Sequence, residues 1–212
     1  MRRILLIVPF LLSGWVGLAH AQPGLQPMID AAMRECELGR IAQDRSVRIG
    51  HFERGQAFGE QAVAADDQSA AAHFGLFCNL GELMRIDGEV TMTSVMGFSR
   101  MMRELDRTLE LAPDHLDALS AKGTFLVRLP VLLGGDTDKG ERLLHYVIQR
   151  APRAVNARLS LAKSLCSRGH HRDAIALAAE ALHIARMQQR EDLIPEATRV
   201  VAQLRVNGDK IN

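Results

Sequence analysis

Between Val155 and Leu182, small and apolar residues recur at helical spacing in two runs divided by a glycine: Ala157, Leu161, Ala162 and Leu165 precede Gly169, and Ala174, Ala178 and Ala181 follow it. Apolar positions three and four apart line one face of a helix, so the pattern predicts two antiparallel helices. Ala162, Ala174 and Ala181 are small enough to let the axes approach where they cross. The arrangement repeats upstream in Ala118, Gly123, Leu126, Gly140, Leu144 and Val147, closed by Pro152. It repeats again in Ala72, Leu76, Leu80, Phe98, Met101 and Leu105, closed by Pro113. Proline lacks an N–H and clashes with the preceding turn, so each one ends a unit. A fainter copy ends near Asp67: Phe52, Gly55 and Ala62 fit its second helix, whereas Gly39 and Gln43 fit its first badly.

A glycine inside a helix costs roughly 0.5–1 kcal/mol relative to alanine, so each one needs a reason. Gly55, Gly123 and Gly140 fall where the repeat demands a close helix contact; Gly59 and Gly75 have a weaker justification.

On these residues the chain resembles the tetratricopeptide repeat family, with His73 where the family prefers Trp. The resemblance implies an all-α, tetratricopeptide-type α-hairpin solenoid of about four hairpins over residues 22–205. Glu191–Arg205 forms the capping helix, its apolar side made by Ile194, Ala197, Val200, Val201 and Leu204, and residues 206–212 form a flexible tail. It also implies a scaffold for protein–protein interaction in which the first helix of each unit lines a concave groove. The inward positions are then Arg40, Asp44 and Arg48 in unit one, Phe74 and Cys78 in unit two, Ser120, Thr124 and Arg128 in unit three, and Asn156, Leu159 and Lys163 in unit four. This mixed set does not reproduce the Lys/Asn clamp with which some members grip a C-terminal carboxylate. The alternative is an ordinary solvated face.

The units are longer than the about 34 residues of an undecorated repeat. Two insertions account for this, Arg85–Gly97 in the second unit and LPVLLGGD, Leu129–Asp136, in the third, each between a first and a second helix. Equivalent turns of stacked units share one edge, so the two should be neighbours and form a candidate binding rim. In LPVLLGGD, Pro130 stops one helix and Asp136 caps the next, with Asp138 favourably placed in its first turn. A phosphate loop is excluded: Glu141-Arg142 stands where the Lys and Ser/Thr must be, and no strand precedes it. The segment is also similar to the LGGD-type turn in T-component proteins of periplasmic tripartite transporters. That similarity implies an alternative function, a transport-associated module holding an apolar small molecule in a pocket among Phe74, Leu80, Phe98 and Leu126.

Residues 1–21 read as a cleavable signal peptide: Arg2 and Arg3, an apolar run from Ile4 to Ala19, and Ala19-His20-Ala21 as the cleavage pattern. They imply a periplasmic protein that meets the membrane only through that transient leader. The 212-residue chain carries a formal charge of +1, and setting aside the two leader arginines leaves the rest nearly neutral. Such a balance gives no electrostatic footprint for nucleic acid.

Cys36 is expected at the start of one helix and Cys78 two turns along the next unit's first helix. That is too far for the roughly 4.4–6.8 Å Cα spacing of a disulfide, so all three cysteines, Cys166 included, read as small buried apolar residues. No metal-ligand spacing, HExxH or GxSxG occurs, and no Cys is expected beside a positioned His, His171 taking an aromatic packing position. The chain therefore reads as non-enzymatic, with no cofactor. Five methionines between Met84 and Met102 read first as filler of an irregular core.

Overall fold

A computed structural model describes residues 24–87 and 92–209, so the leader lies outside the described residues. Among them the regular structure is helical: α1 (Leu25–Ile41), α2 (Arg45–Ala65), α3 (Ala70–Asp87), α4 (Met92–Leu111), α5 (Leu116–Arg128), α6 (Thr137–Arg150), α7 (Val155–Ser167), α8 (His171–Met187) and α9 (Ile194–Asp209). Consecutive helices pack as hairpins, α1 with α2, α3 with α4, α5 with α6 and α7 with α8. The hairpins stack through α1 and α2 on α3, α4 on α5, and α5 and α6 on α7. The predicted helical-repeat solenoid is what the chain forms.

Local chemistry sets the boundaries. Asp136 caps α6 by accepting the Lys139 N–H at 2.9 Å, as expected. Gly169 closes α7 in the left-handed region at φ 85°, and the His170 N–H returns to the Leu165 carbonyl at 2.9 Å. His115, not anticipated as a cap, accepts the Ala118 N–H through Nδ1. In unit one Asp44 is the N-cap of α2, accepting from the N–H groups of Ser46 and Val47. The break therefore falls at Ala42–Asp44, earlier than the repeat template places it, and α2 extends over 21 residues.

That shift overturns the cysteine expectation. Cys36 lies deep inside α1, opposite Cys78 of α3, and the two form a disulfide with a Cα separation of 6.3 Å. The first insertion is largely absorbed by helix, since α3 runs to Asp87 and α4 begins at Met92. The second is a 3₁₀ turn, Val131–Leu133. Phe98, near the start of α4, stands edge-on to Phe125, near the end of α5, at 5.9 Å, which brings these two helix ends together. At the far end α9 continues to Asp209, beyond the expected end of the capping helix. Its Ala197, Val200, Val201 and Leu204 join Ala174, Ala178, Ala181 and Ala185 of α8 in one cluster, as a terminal lid must.

Close approach explains the glycines. A Cβ on Gly140 would meet Val127 Cγ1 at 2.6 Å and the Gly123 carbonyl at 2.8 Å, so the axes of α5 and α6 cross nearly in contact. Gly59, for which the repeat offers a weaker reason, sits equally tightly: a Cβ there would meet the Leu76 Cα at 2.8 Å. Gly140→Val is accordingly expected to cost about 2 kcal/mol through forced separation of the hairpin. A denaturant midpoint equal to that of the parent protein would contradict this crossing.

Candidate functional site

The inner face is built from the odd-numbered helices. In α5 and α7, Thr124 donates to the Ser160 hydroxyl at 2.8 Å, a contact that only short side chains permit. Between α3 and α5 the spacing is filled by rings instead: Phe74 lies 4.5 Å from the His115 ring, and Phe77 meets Phe125 edge-on at 6.4 Å. Leu80, Met84, Phe98 and Met101 complete this cluster. Leu126 does not join it; it turns to α6, where it abuts Gly140. The four residues of the expected apolar pocket therefore do not converge, and rings occupy the space they would have lined. Met84, Met101 and Met102 are core filler, while Met96 is exposed.

Charged side chains stand along the open inner face. Arg40 of α1 donates to Glu82 of α3 at 2.7 Å and reaches Cys78 Sγ at 3.3 Å, and Glu82 also accepts from Arg85 at 2.6 Å. On the opposite wall Lys163 of α7 pairs with Glu196 of α9 at 2.8 Å, and Arg190 pairs with Asp192 in the connection before α9.

The two walls feel each other. Burial opposes ionisation of Glu196, but the hydrogen bond and charge of Lys163, with further pull from Arg85 and Arg199, hold its carboxyl below the usual range. Burial likewise opposes ionisation of Asp192, and Arg190, aided by Arg40, outweighs it. The Arg190 guanidinium is held more firmly protonated, chiefly by its hydrogen bond to Asp192 and secondarily by that carboxylate's charge, Glu37 and Asp117, against an opposing desolvation cost. Yet neither α1 nor α3 packs on α9. Arg40 and Arg85 thus stand near enough to Asp192 and Glu196 to act on their carboxyls although their helices do not pack, which sets the two groups of charges on facing walls of a trough.

The positions predicted from sequence divide on this geometry. Arg40 and Lys163 belong to the trough. Thr124 lies in the α5–α7 seam beside buried Ser120; Arg128 and Asn156 are exposed on the same two helices. Phe74 is a packing residue, Cys78 is bound in the disulfide and Leu159 is buried in the core. Asp44 is a helix cap, and Arg48, inside α2, donates to the Gly39 carbonyl. Both were misplaced by the early end of α1. Glu82 and Arg85 were missed although they continue the Phe74–Cys78 face by another turn. Arg190, Asp192 and Glu196 sit at a helix junction where no repeat marks position.

One expectation about chemistry also changes. Cys166 Sγ lies 3.5 Å from His171 Nδ1 across the α7–α8 turn, because the Gly169 closure folds α8 back over the end of α7. Among the described residues no carboxylate orients that imidazole, so the pair lacks the third group of a nucleophilic triad.

No family model and no curated protein matches the chain. Among solved structures it is similar to MamA AMB-1, with 17% identity and a TM-score of 0.47 over 85% of this chain and 91% of that one. It is also similar to MamA from Desulfovibrio magneticus RS-1, with 16% identity and a TM-score of 0.44 over 83% of this chain and 96% of that one. A third is YrrB, described as a TPR protein with an unusual peptide-binding site, with 16% identity and a TM-score of 0.37 over 70% of this chain and 84% of that one.

Proposed function

We propose that the protein is an exported, periplasmic scaffold that holds a peptide or protein segment in the trough between the α1–α3 and α7–α9 walls. The observation that carries this reading is the placement of the Arg40–Glu82–Arg85 and Lys163–Glu196 ion pairs on helices that do not pack on one another. A trough with charge of both signs on opposite walls suits an extended segment that is itself zwitterionic. Export is supported by the Arg2-Arg3 leader pattern and by the Cys36–Cys78 disulfide, which fits an oxidising compartment. The mechanism needs no chemistry: a preformed surface loses little conformational entropy on binding.

Selecting a random peptide library against residues 22–212, and titrating the enriched sequences by fluorescence anisotropy, tests this. Arg85→Glu and Lys163→Glu should weaken binding roughly tenfold or more, the loss of about 1.4 kcal/mol. Arg103→Glu on the exposed side of α4 should leave it unchanged. Equal binding by all three variants would remove the trough from the interface.

A further inference from the structure

The turn joining α5 to α6 presents three consecutive large apolar residues to water. Val131 is 83% exposed, Leu132 97% and Leu133 65%. Nothing in the hairpin below requires them there, since the α5–α6 contact is made by Gly123, Leu126, Gly140 and Leu144. The turn is a protrusion: Pro130 opens it, Gly134 at φ 87° closes it, and the buried Gly135 tucks its base against the Leu129 carbonyl. Isolated surface leucines are common and need no explanation, but a run of three at the apex of a projecting turn does.

Two observations favour a particular environment for this apex. Much of its backbone is already paired: the N–H groups of Leu133 and Gly135 donate to the Pro130 carbonyl at 2.9 and 3.0 Å, that of Gly134 to Val131 at 3.0 Å, and that of Asp136 to Leu126 at 2.9 Å. Moving unsatisfied peptide groups out of water is the main obstacle to burying irregular backbone in lipid, and here most donors of the turn carry their partners with them.

The second observation is charge. Around the turn the carboxylates are engaged, Asp136 as the α6 cap and Asp138 and Glu141 with Arg168 at 2.6 and 3.0 Å. Arg128, Lys139 and Arg142 are exposed, and none of them forms an ion pair among the described residues. With Arg168 these make four cations against three carboxylates around an apolar apex, a balance complementary to a bilayer surface of anionic phospholipid, where apolar burial and electrostatic attraction add.

We propose that the Pro130–Gly135 turn is a membrane-docking tip, inserting Val131, Leu132 and Leu133 into the interface of an anionic bilayer while Arg128, Lys139 and Arg142 meet its phosphates. This is independent of the trough, none of whose charged residues belongs to the turn.

Residues 22–212 contain every helix described and exclude Trp15, the sole tryptophan of the sequence, so Leu132→Trp supplies one indole at the apex. With vesicles of phosphatidylglycerol and phosphatidylcholine its emission should shift to the blue. In flotation, the parent protein should partition to these vesicles at least tenfold more strongly than Leu132→Asp, with both showing the same circular dichroism. Arg128→Glu/Arg142→Glu should lose a similar factor, and Leu132→Met should keep binding. Absence of flotation by the parent protein, or equal flotation by Leu132→Asp, would overturn the proposal. A lipid-independent dimer that Leu132→Asp dissolves would overturn it too and assign the turn to a second copy of the chain.

Discussion

Removing the Cys36–Cys78 bridge with Cys36→Ala/Cys78→Ala is expected to lower the melting temperature by roughly 8–16 °C. The bridge spans 42 residues, and closing a loop of that length restricts the unfolded chain by about 4 kcal/mol in the loop-entropy picture. A domain of this size loses about 2–4 °C per kcal/mol. The loss should be local. Stacked hairpins contact only their neighbours, so α1 to α3 should open first while α7 to α9 keep their protection. Hydrogen exchange read by mass spectrometry distinguishes the two ends. A melting temperature within 2–3 °C of the parent value, or accelerated exchange spread evenly along the chain, would show that the bridge does not tie the first hairpin to the second.

Ala174→Glu should be comparably severe. Ala174 is fully buried and packs in the cluster that joins Val155, Leu159 and Ala162 of α7 to α8 and α9. A glutamate there would either strand a charge with no cation beside it or push the helices apart. An uncompensated buried charge costs roughly 3–5 kcal/mol, which corresponds to roughly 10 °C or more for a domain of this size. Loss of helical signal should be confined to the last three helices. Ala174→Ser, which adds little volume, should be mild. A thermal midpoint for Ala174→Glu equal to the parent's would mean that the α7–α8 crossing is looser than its alanines imply.

The hairpins from α5 onward were legible because their punctuation is chemical. Pro113, Pro152, Gly169 and Asp136 each enforce a backbone state that tolerates few alternatives, and the alanines and glycines between them report helix crossings. Unit one was not legible to the same degree. Its boundary depends on Asp44, whose capping role competes with an apolar period that the glycine-rich α2 carries weakly. The template therefore set Cys36 at a helix start and denied it a partner. One residue class was read correctly but one turn short: the inner face of α3 continues past Cys78 to Glu82 and Arg85. The opposite wall, Arg190 to Glu196, was invisible because a junction between helices has no period, and its importance comes from charges far away in sequence. The apex Val131–Leu133 was visible as letters and silent as structure, since an apolar triplet reads equally well as core until its exposure is known.

Asn79 carries a last consequence. Its side chain is fully buried in α3, faces Gly55 of α2, and donates through Nδ2 to the carbonyls of Ala32 in α1 and of Gly75, both at 2.9 Å. Ala32 and Gly75 leave little side-chain relief at this contact between α1 and α3. The amide helps set the alignment, because its bond to the Ala32 carbonyl links α3 to α1 in a place water cannot reach. It acts as an indexing pin between the same two helices that the Cys36–Cys78 bridge joins, so a neutral amide and a covalent bond hold one alignment.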